Sequence, residues 1–416
     1  MGCLISDKKD NGKGLTRVNV FRHKHEIICG KTSSISHQIV GLDEKGKVTN
    51  TNQYGGINDW AAICEKSVKI INFFDMGGSE KSLKNTVKTL SRNYLDYILL
   101  LIPADKGITN TTIDYLKIAL SLGLPMVTIF TKIDIVSEDD LGDLLNSFKC
   151  VLKTQKKGKN PLLVQDKNDI VTFSRNINEG ILPVFLISNK KGFGQDLFIS
   201  FLNLIPDSQN TLSLESDKNI LSESQFDVLE IILVENKIIL LGIVTKGLLM
   251  KDSYYKLGPD NNGNFRTVQL LSIHCKKVEI KSAFQGQFCS ISLDESVTKD
   301  SLRTGMVVIS SNANPLACRR FEAEIWSIEG KERKIKLSTQ PLIHIPPIRQ
   351  AVRIFKEESI SSSDSASPEE FEVFEDKTTK VSFEFMYMPE YIREGSHLLI
   401  YENNFKIYGY VTRIIK

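Results

Sequence analysis

The 416-residue chain is 41% hydrophobic and 25% charged, enough for two or three ordinary cores of roughly 100 to 200 residues each. Its 53 Lys and Arg nearly balance its 50 Asp and Glu, a net of +3, which excludes a surface devoted as a whole to nucleic acid and leaves any such role to local clusters. Seven scattered cysteines without a CxxC pair argue against a disulfide framework or zinc site, and no apolar run approaches the ~20 residues of a spanning helix, so a cytoplasmic protein without membrane association is expected.

In chain order, apolar runs at Val68–Phe74, Tyr97–Ile102, Met126–Phe130 and Val184–Ile187 alternate with amphipathic stretches, the pattern of a parallel sheet with crossover helices. The clearest helix is Thr111–Leu122, with Ile113, Leu116, Ile118, Ala119 and Leu122 at helical spacing and Gly123 as its stop. The polar stretch Asp207–Gln225 reads as a linker closing a first domain over 1–206. Short β-rich runs with Gly, Pro and Asn turns follow, giving one expected β-barrel over 226–311 and a second over 312–416. Within the second, the acidic, Ser-rich stretch 357–376 carries too little apolar surface to pack and is expected to be a disordered insertion.

Three short motifs each follow an apolar run. Asp75 ends a strand with Gly78 three positions on, placing a carboxylate for a magnesium-bound water and an amide for a γ-phosphate. Thr131, Lys132 and Asp134 follow the next-but-one strand; an Asp there can accept two N–H donors of guanine while the Lys stem packs on the ring. Ser188 and Asn189 follow a further strand. Each pattern alone is also ordinary turn or helix-cap chemistry. Their order, with Asp75, Lys132 and Ser188 spaced by 57 and 56 residues, favours a guanine-nucleotide site. No complete GxxxxGK[ST] is present: Gly30, Lys31 and Thr32 supply only its tail, with His25 where its first Gly should stand.

These residues, with the run Asp10–Gly14, the segment Phe21–Ile27 and the stretch Lys31–Ser34, resemble a translational GTPase of the elongation factor Tu class, closest to the GTP-binding protein 1 subfamily. The likeness extends to Gly242–Gly247, Gly258, Pro259 and Arg303–Met306 for a second domain, and to Phe321–Glu324, Arg393–Gly395 and Gly409–Val411 for a third. It implies an α/β fold: an incomplete P-loop-type G domain, mostly parallel sheet with helices, followed by two β-barrel domains. It also implies GTP or GDP and Mg²⁺ as ligands. Thr131, Lys132 and Asp134 would read the base, Ser188 and Asn189 close over it, and Asp75 and Gly78 sense Mg²⁺ and γ-phosphate. Aligning Lys31 with the subfamily's usual Arg makes Ser34 the switch ligand to Mg²⁺; side-chain identity makes it Thr32.

Two departures bear on catalysis. The subfamily's P-loop would lie just upstream of Met1, so the first strand and phosphate cradle are expected to be missing, as in a truncated gene model. Ser79 follows Gly78 where the family has a His that orients the attacking water, so GTP hydrolysis is expected to be slow even with a P-loop restored, a positioned acid/base group being worth about 10² to 10⁴ in rate. The reading is a GTP-binding, elongation-factor-like GTPase of translation or RNA and ribosome quality control, partnered by tRNA, ribosome or RNA-decay machinery. Its rival is a nucleotide-free RNA- or ribosome-binding adapter with a degenerate G domain. Local cations at Lys153, Lys156, Lys157 and Lys159 on an expected loop, Lys276, Lys277, Arg319, Arg320, Lys331, Arg333, Lys334 and Lys336 give modest support for an RNA partner, and Tyr54, Trp60 and Trp326 are too few for a base-stacking platform.

Overall fold

The computed structural model describes all residues except 7, 51–59, 80–81, 83–85, 87–94, 156–158, 178, 207–222, 235–236, 277, 295, 328–332, 356–369, 375–376, 403–404 and 416. Two compact units result, the first formed by Met1–Leu90 and Leu95–Thr211, the second chiefly by Leu212–Lys416.

In the first unit, β3 (Ile98–Pro103), β4 (Met126–Thr131), β6 (Ile181–Ile187) and β5 (Asn160–Leu163) form a parallel sheet in the order β3-β4-β6-β5. Val127, Ile129, Phe130, Val184 and Phe185 are buried, as expected for strands covered on both faces. The sheet is parallel as expected, but the run at Val68–Phe74 does not join it: Lys69–Asp75 (β2) pairs antiparallel with Ser36–Leu42 (β1), from Ser36↔Asp75 to Leu42↔Lys69. β1 escaped the sequence reading because His37, Gln38 and Gly41 interrupt its apolar residues.

Helix α1 is Gly2–Ser6 and α2 is Lys24–Cys29, with α3 at Trp60–Lys66. Helix α4 (Asn110–Leu122) starts where Thr109 Oγ1 accepts from the Thr112 amide at 3.2 Å and stops at Gly123, whose φ of 70° suits glycine. Its buried face is Leu116, Ile118, Ala119 and Leu120. Helix α5 (Glu138–Thr154) carries three acids in its first turn and Lys153 in its last, aligned with the helix dipole. Lys153 is therefore helical, not on the loop expected for it, while Lys156 and Lys157 lie outside the described residues. Helices α6 (Lys167–Asn176) and α7 (Gln195–Leu204) complete the unit, and Phe173, Phe198 and Phe201 join Ile5, Val40, Phe73 and Phe185 in its core. Lys69 Nζ caps α7, donating to the Asn203 and Ile205 carbonyls at 3.0 and 2.6 Å.

The second unit opens with β7 (Gln225–Val234), β8 (Lys237–Lys246), the short β9 (Leu248–Met250), β10 (Tyr254–Gly258), β11 (Arg266–Cys275), the short β12 (Val278–Ile280) and β13 (Ser282–Phe284), β14 (Phe288–Leu293) and β15 (Val307–Ser310). Pairing in the order β10-β15-β7-β8-β14-β11, with β11 returning to β10, closes a six-stranded barrel around Phe226, Leu240, Val268 and Ile291. Gln225 is already in β7 and buried, so the end of the expected linker is strand; 207–222 lie outside the described residues. A second closed barrel runs β16 (Arg320–Ser327), β21 (Thr379–Phe385), β19 (Ile348–Phe355), β18 (Leu342–Ile345), β22 (His397–Glu402) and β23 (Phe405–Ile415), around Phe321, Phe383 and Phe385. The acidic stretch departs from expectation at its end: Glu370–Val373 (β20) pairs with Arg333–Lys336 (β17), and Val373 and Ile335 are buried in the barrel core. High average charge hid an alternation of apolar and acidic residues suited to a half-buried strand; 356–369 lie outside the described residues.

Several surface cations are paired with acids, Arg320 with Glu384 at 3.1 Å and Lys334 with Glu372 at 3.3 Å. Trp60 meets His37 edge-on, Trp326 packs on Tyr408 and Tyr410, and Tyr54 is outside the described residues. Among the described residues no helix is long and apolar enough to cross a membrane.

Candidate guanine-nucleotide site

The carboxyl ends of parallel strands are where α/β sheets place ligands, and two of the three motifs lie there, one after β4 and one after β6, while Asp75 ends β2 of the separate two-stranded sheet. Thr131 ends β4, and Lys132, the next residue, takes a left-handed φ of 58°, uncommon for a non-glycine residue. Its ammonium meets Asp105, just beyond β3, at 2.8 Å. Asp134 follows in a short 3-10 turn over Ile133–Ile135. Ser188, just beyond the adjacent β6, donates its hydroxyl to Asp134 Oδ1 at 2.5 Å. That hydrogen bond is the main cause holding the Asp134 carboxyl below its usual range, with Lys190 and Lys191 assisting against slight burial. An ionised carboxylate is the form that accepts two N–H donors. Asn189 is held through its Oδ1 by Gln195 Nε2 at 3.0 Å.

At the end of β2, Asp75 accepts from Thr32 Oγ1 at 3.2 Å. Burial pushes its carboxyl up, and the nearby amino terminus, Thr32 and Arg17 only partly offset that. Ser34, the other switch candidate, donates instead to Glu26 Oε1 at 3.2 Å. Glu26, buried in α2, also accepts from the Ser33 amide and hydroxyl, the Ser34 amide, and the Arg22 and His23 amides, at 2.6 to 3.0 Å. Burial alone would raise its carboxyl, but these donors outweigh it and hold the group far below the usual carboxylate range. A hard set of carboxylate and hydroxyl oxygens, Asp75 with Thr32, fits Mg²⁺.

Gly78 is exposed, and a Cβ there would meet no atom within 4 Å. The crowded position is Gly77, where a Cβ would lie 2.5 Å from Ser82 Oγ. The Ser79 hydroxyl is engaged by Ser82 Oγ at 2.9 Å. Tyr115 donates to the Gly77 carbonyl at 2.8 Å and the Ser79 carbonyl at 3.3 Å, tying this turn to α4. Asp105 and Tyr115 were not singled out from sequence, and Glu26 entered only as one position of the segment Phe21–Ile27 that carries the family resemblance. A Glu three residues after the helix-capping His23 is the one available signal, since that spacing lets a side chain reach back to the cap amide.

A nucleotide-binding α/β unit joined to two barrels is the class that fold and site define. The family model of the elongation factor Tu GTP binding domain matches residues 2–234, more than half of the chain, and the chain belongs to that family. GTP-binding protein 1 of Xenopus laevis is 34% identical over 420 residues, spanning all of this chain and 61% of that protein; GTP-binding protein 2 of Homo sapiens is 32% identical over 417 residues, spanning all of this chain and 66% of that protein. The chain thus covers less than two thirds of the length of either relative. Among solved structures, a bacterial selenocysteine-specific elongation factor, EF-Sec, matches with a TM-score of 0.62 at 16% identity over 97% of this chain and 56% of that one. Translation elongation factor SelB from Methanococcus maripaludis, in complex with the GTP analogue GppNHp, matches with a TM-score of 0.58 at 16% identity, over 83% of this chain and 71% of that one. At that identity the likeness is one of fold.

Proposed function

We propose that this chain is a three-domain, guanine-nucleotide-dependent translational GTPase, with a G domain over 1–206 and barrels over 226–311 and 312–416, acting in the cytoplasm in translation or in RNA and ribosome quality control on a tRNA- or ribosome-bearing partner. The observation that carries the reading is the pairing of Ser188 with an ionised Asp134 across the carboxyl ends of two adjacent parallel strands. Thr131, Lys132 and Asp134 bind the base, with Ser188 and Asn189 closing on it. Asp75 and Thr32 would hold Mg²⁺, which when bound neutralises phosphate charge. Gly78 leaves room for a phosphate. Ser79, committed to Ser82, is poorly placed to orient a water, so hydrolysis is slow relative to binding.

The test is a fluorescent-GDP titration with Mg²⁺ on the 416-residue chain and on the same chain extended upstream in frame. Saturable binding by either form, displaced by GTP but not ATP, is expected. Binding by neither overturns the reading in favour of the nucleotide-free adapter.

A further inference from the structure

We infer that Asp10 is a positioning residue for the base-closing loop Ser188–Gly192, an inference that rests on the guanine-site reading above. The loop's described backbone bonds are mostly its own: the Ser188 amide donates to the Phe193 carbonyl at 3.1 Å and the Gly192 amide to the Ser188 carbonyl at 2.7 Å. Its tie to the amino-terminal segment is the Asp10 amide, donating to the Asn189 carbonyl at 3.1 Å. Two reciprocal contacts flank that bond. The Lys9 stem covers Gly192, where a Cβ would lie 2.6 Å from Lys9 Cε, and the Lys190 stem covers Gly12, where a Cβ would lie 3.3 Å from Lys190 Cδ. Both glycines have positive φ, +80° at Gly12 and +79° at Gly192, so each turn presents bare backbone to the other segment's lysine.

The Asp10 carboxylate fixes the segment that makes these contacts. Oδ2 accepts from the Gly12 and Gly14 amides at 2.9 and 3.1 Å, and Oδ1 from the Thr16 amide and hydroxyl, both at 3.1 Å. Burial opposes the charge, yet these donors hold the carboxyl below its usual range. Thr16 in turn abuts α1, where a Cβ on Gly2 would lie 2.3 Å from the Thr16 carbonyl oxygen. One side chain therefore fastens residues 10–16 to the core helix bearing buried Ile5 and sets the surface against which Asn189 rests. In this arrangement Asp10 touches no nucleotide; it sets the resting position of a loop that does.

The experiment is amide hydrogen exchange on the full chain for wild type, Asp10→Asn, Asp10→Ala and Thr16→Val, with fluorescent-GDP titration of whichever form binds nucleotide. Asp10→Ala should speed exchange of 189–192 about tenfold while β4 stays protected, and weaken GDP about tenfold. Asp10→Asn, which keeps an acceptor at Oδ1, should fall between Asp10→Ala and wild type, and Thr16→Val should loosen 12–16 with a smaller effect on 189–192. Faster exchange confined to 12–16 in Asp10→Ala overturns the proposal, as does a loosened 189–192 with unchanged GDP affinity. Failure of every form to bind GDP would sink the guanine-site reading instead, and exchange at 189–192 would still decide whether Asp10 holds the loop.

Discussion

Ser188 and Asp134, 54 positions apart in the chain, are joined by a 2.5 Å hydrogen bond that fixes the carboxylate at the mouth of the parallel sheet. Ser188→Ala should let the Asp134 carboxyl rise toward its ordinary value and weaken GDP binding about fivefold, the ~1 kcal/mol of a hydrogen bond to a partly solvated charge. Asp134→Asn, offering guanine a donor where it needs an acceptor, should shift preference toward xanthine nucleotides. Competition of GDP and XDP against a fluorescent nucleotide checks both. Unchanged guanine selectivity in Asp134→Asn would remove that residue from base reading.

Glu26 receives six hydrogen bonds from residues 22–34 while almost fully buried. Glu26→Ala should release this segment, and trypsin should cut at Arg22, Lys24 and Lys31 at least tenfold faster than in wild type. Because the folded carboxyl is depressed, its stabilisation is present above the unfolded value of about 4.3 and is lost as pH falls below it. Protection of the Ser33 and Ser34 amides, corrected for intrinsic exchange, should therefore decline below about pH 4. Equal cleavage of variant and wild type would show that the segment is held by something else.

Lys69 sits in β2 yet ends a helix far along the chain, donating to the Asn203 and Ile205 carbonyls. Lys69→Met keeps the apolar stem and removes the donor. Left to water at a helix end, the two carbonyls should cost about 1 to 2 kcal/mol, read as a lower urea midpoint at unchanged m-value.

How much of this was legible in the chain depends on whether the signal was local. The motifs proposed to read the base stood out because each polar group follows an apolar strand, and α4 because its caps and period agree. β1 was invisible because its partner β2 supplies the pairing that its own composition does not suggest. Likewise β20 is stabilised by β17 and by burial of Val373, not by its own acidic sequence. The choice between Thr32 and Ser34 as the hydroxyl facing Asp75 depends on Glu26 capturing Ser33 and Ser34, a tertiary fact without a sequence signature.

Asp227, 8% exposed in β7, accepts from Gln225 Nε2 at 2.6 Å and Thr245 Oγ1 at 3.2 Å. Burial pushes its carboxyl up to about 6, only partly offset by Gln225, Arg393 and Thr245. A raised folded value means that the contribution to stability is full below the unfolded value of about 3.9 and is lost as pH rises through about 6. Asp227→Asn, uncharged at every pH, should be more stable than wild type at pH 8, with its melting temperature changing less between pH 5 and pH 8. A wild-type melting temperature that rises across that interval, with the variant rising in parallel, would contradict this.

Arg303 and Glu390 form an ion pair within the second unit, Nη1 donating to Oε1 at 3.0 Å and Nη2 lying 2.9 Å from Oε2 without a well-aligned hydrogen bond, with side chains only 18% and 4% exposed. Arg303 also donates to the Pro259 carbonyl at 3.1 Å, and Gln350 Nε2 reaches Glu390 Oε1 at 2.8 Å. One guanidinium thus binds the turn after β10 of the first barrel to a buried carboxylate beside the second. Burial still pushes the Glu390 carboxyl up despite Arg303 and Gln350, the direction expected where desolvation opposes the attraction of a buried pair. The single and double variants separate these effects. Arg303→Met strands a buried carboxylate and should cost about 3 to 5 kcal/mol, with the Glu390 carboxyl rising further and part of the loss recovered at low pH. Glu390→Gln in the same background removes the stranded charge and should restore most of that loss, giving a coupling of about 2 kcal/mol or more in a double-mutant cycle by urea denaturation. Additive losses would mean that Arg303 acts mainly through Pro259 and packing, and that the carboxylate gains little from its partner.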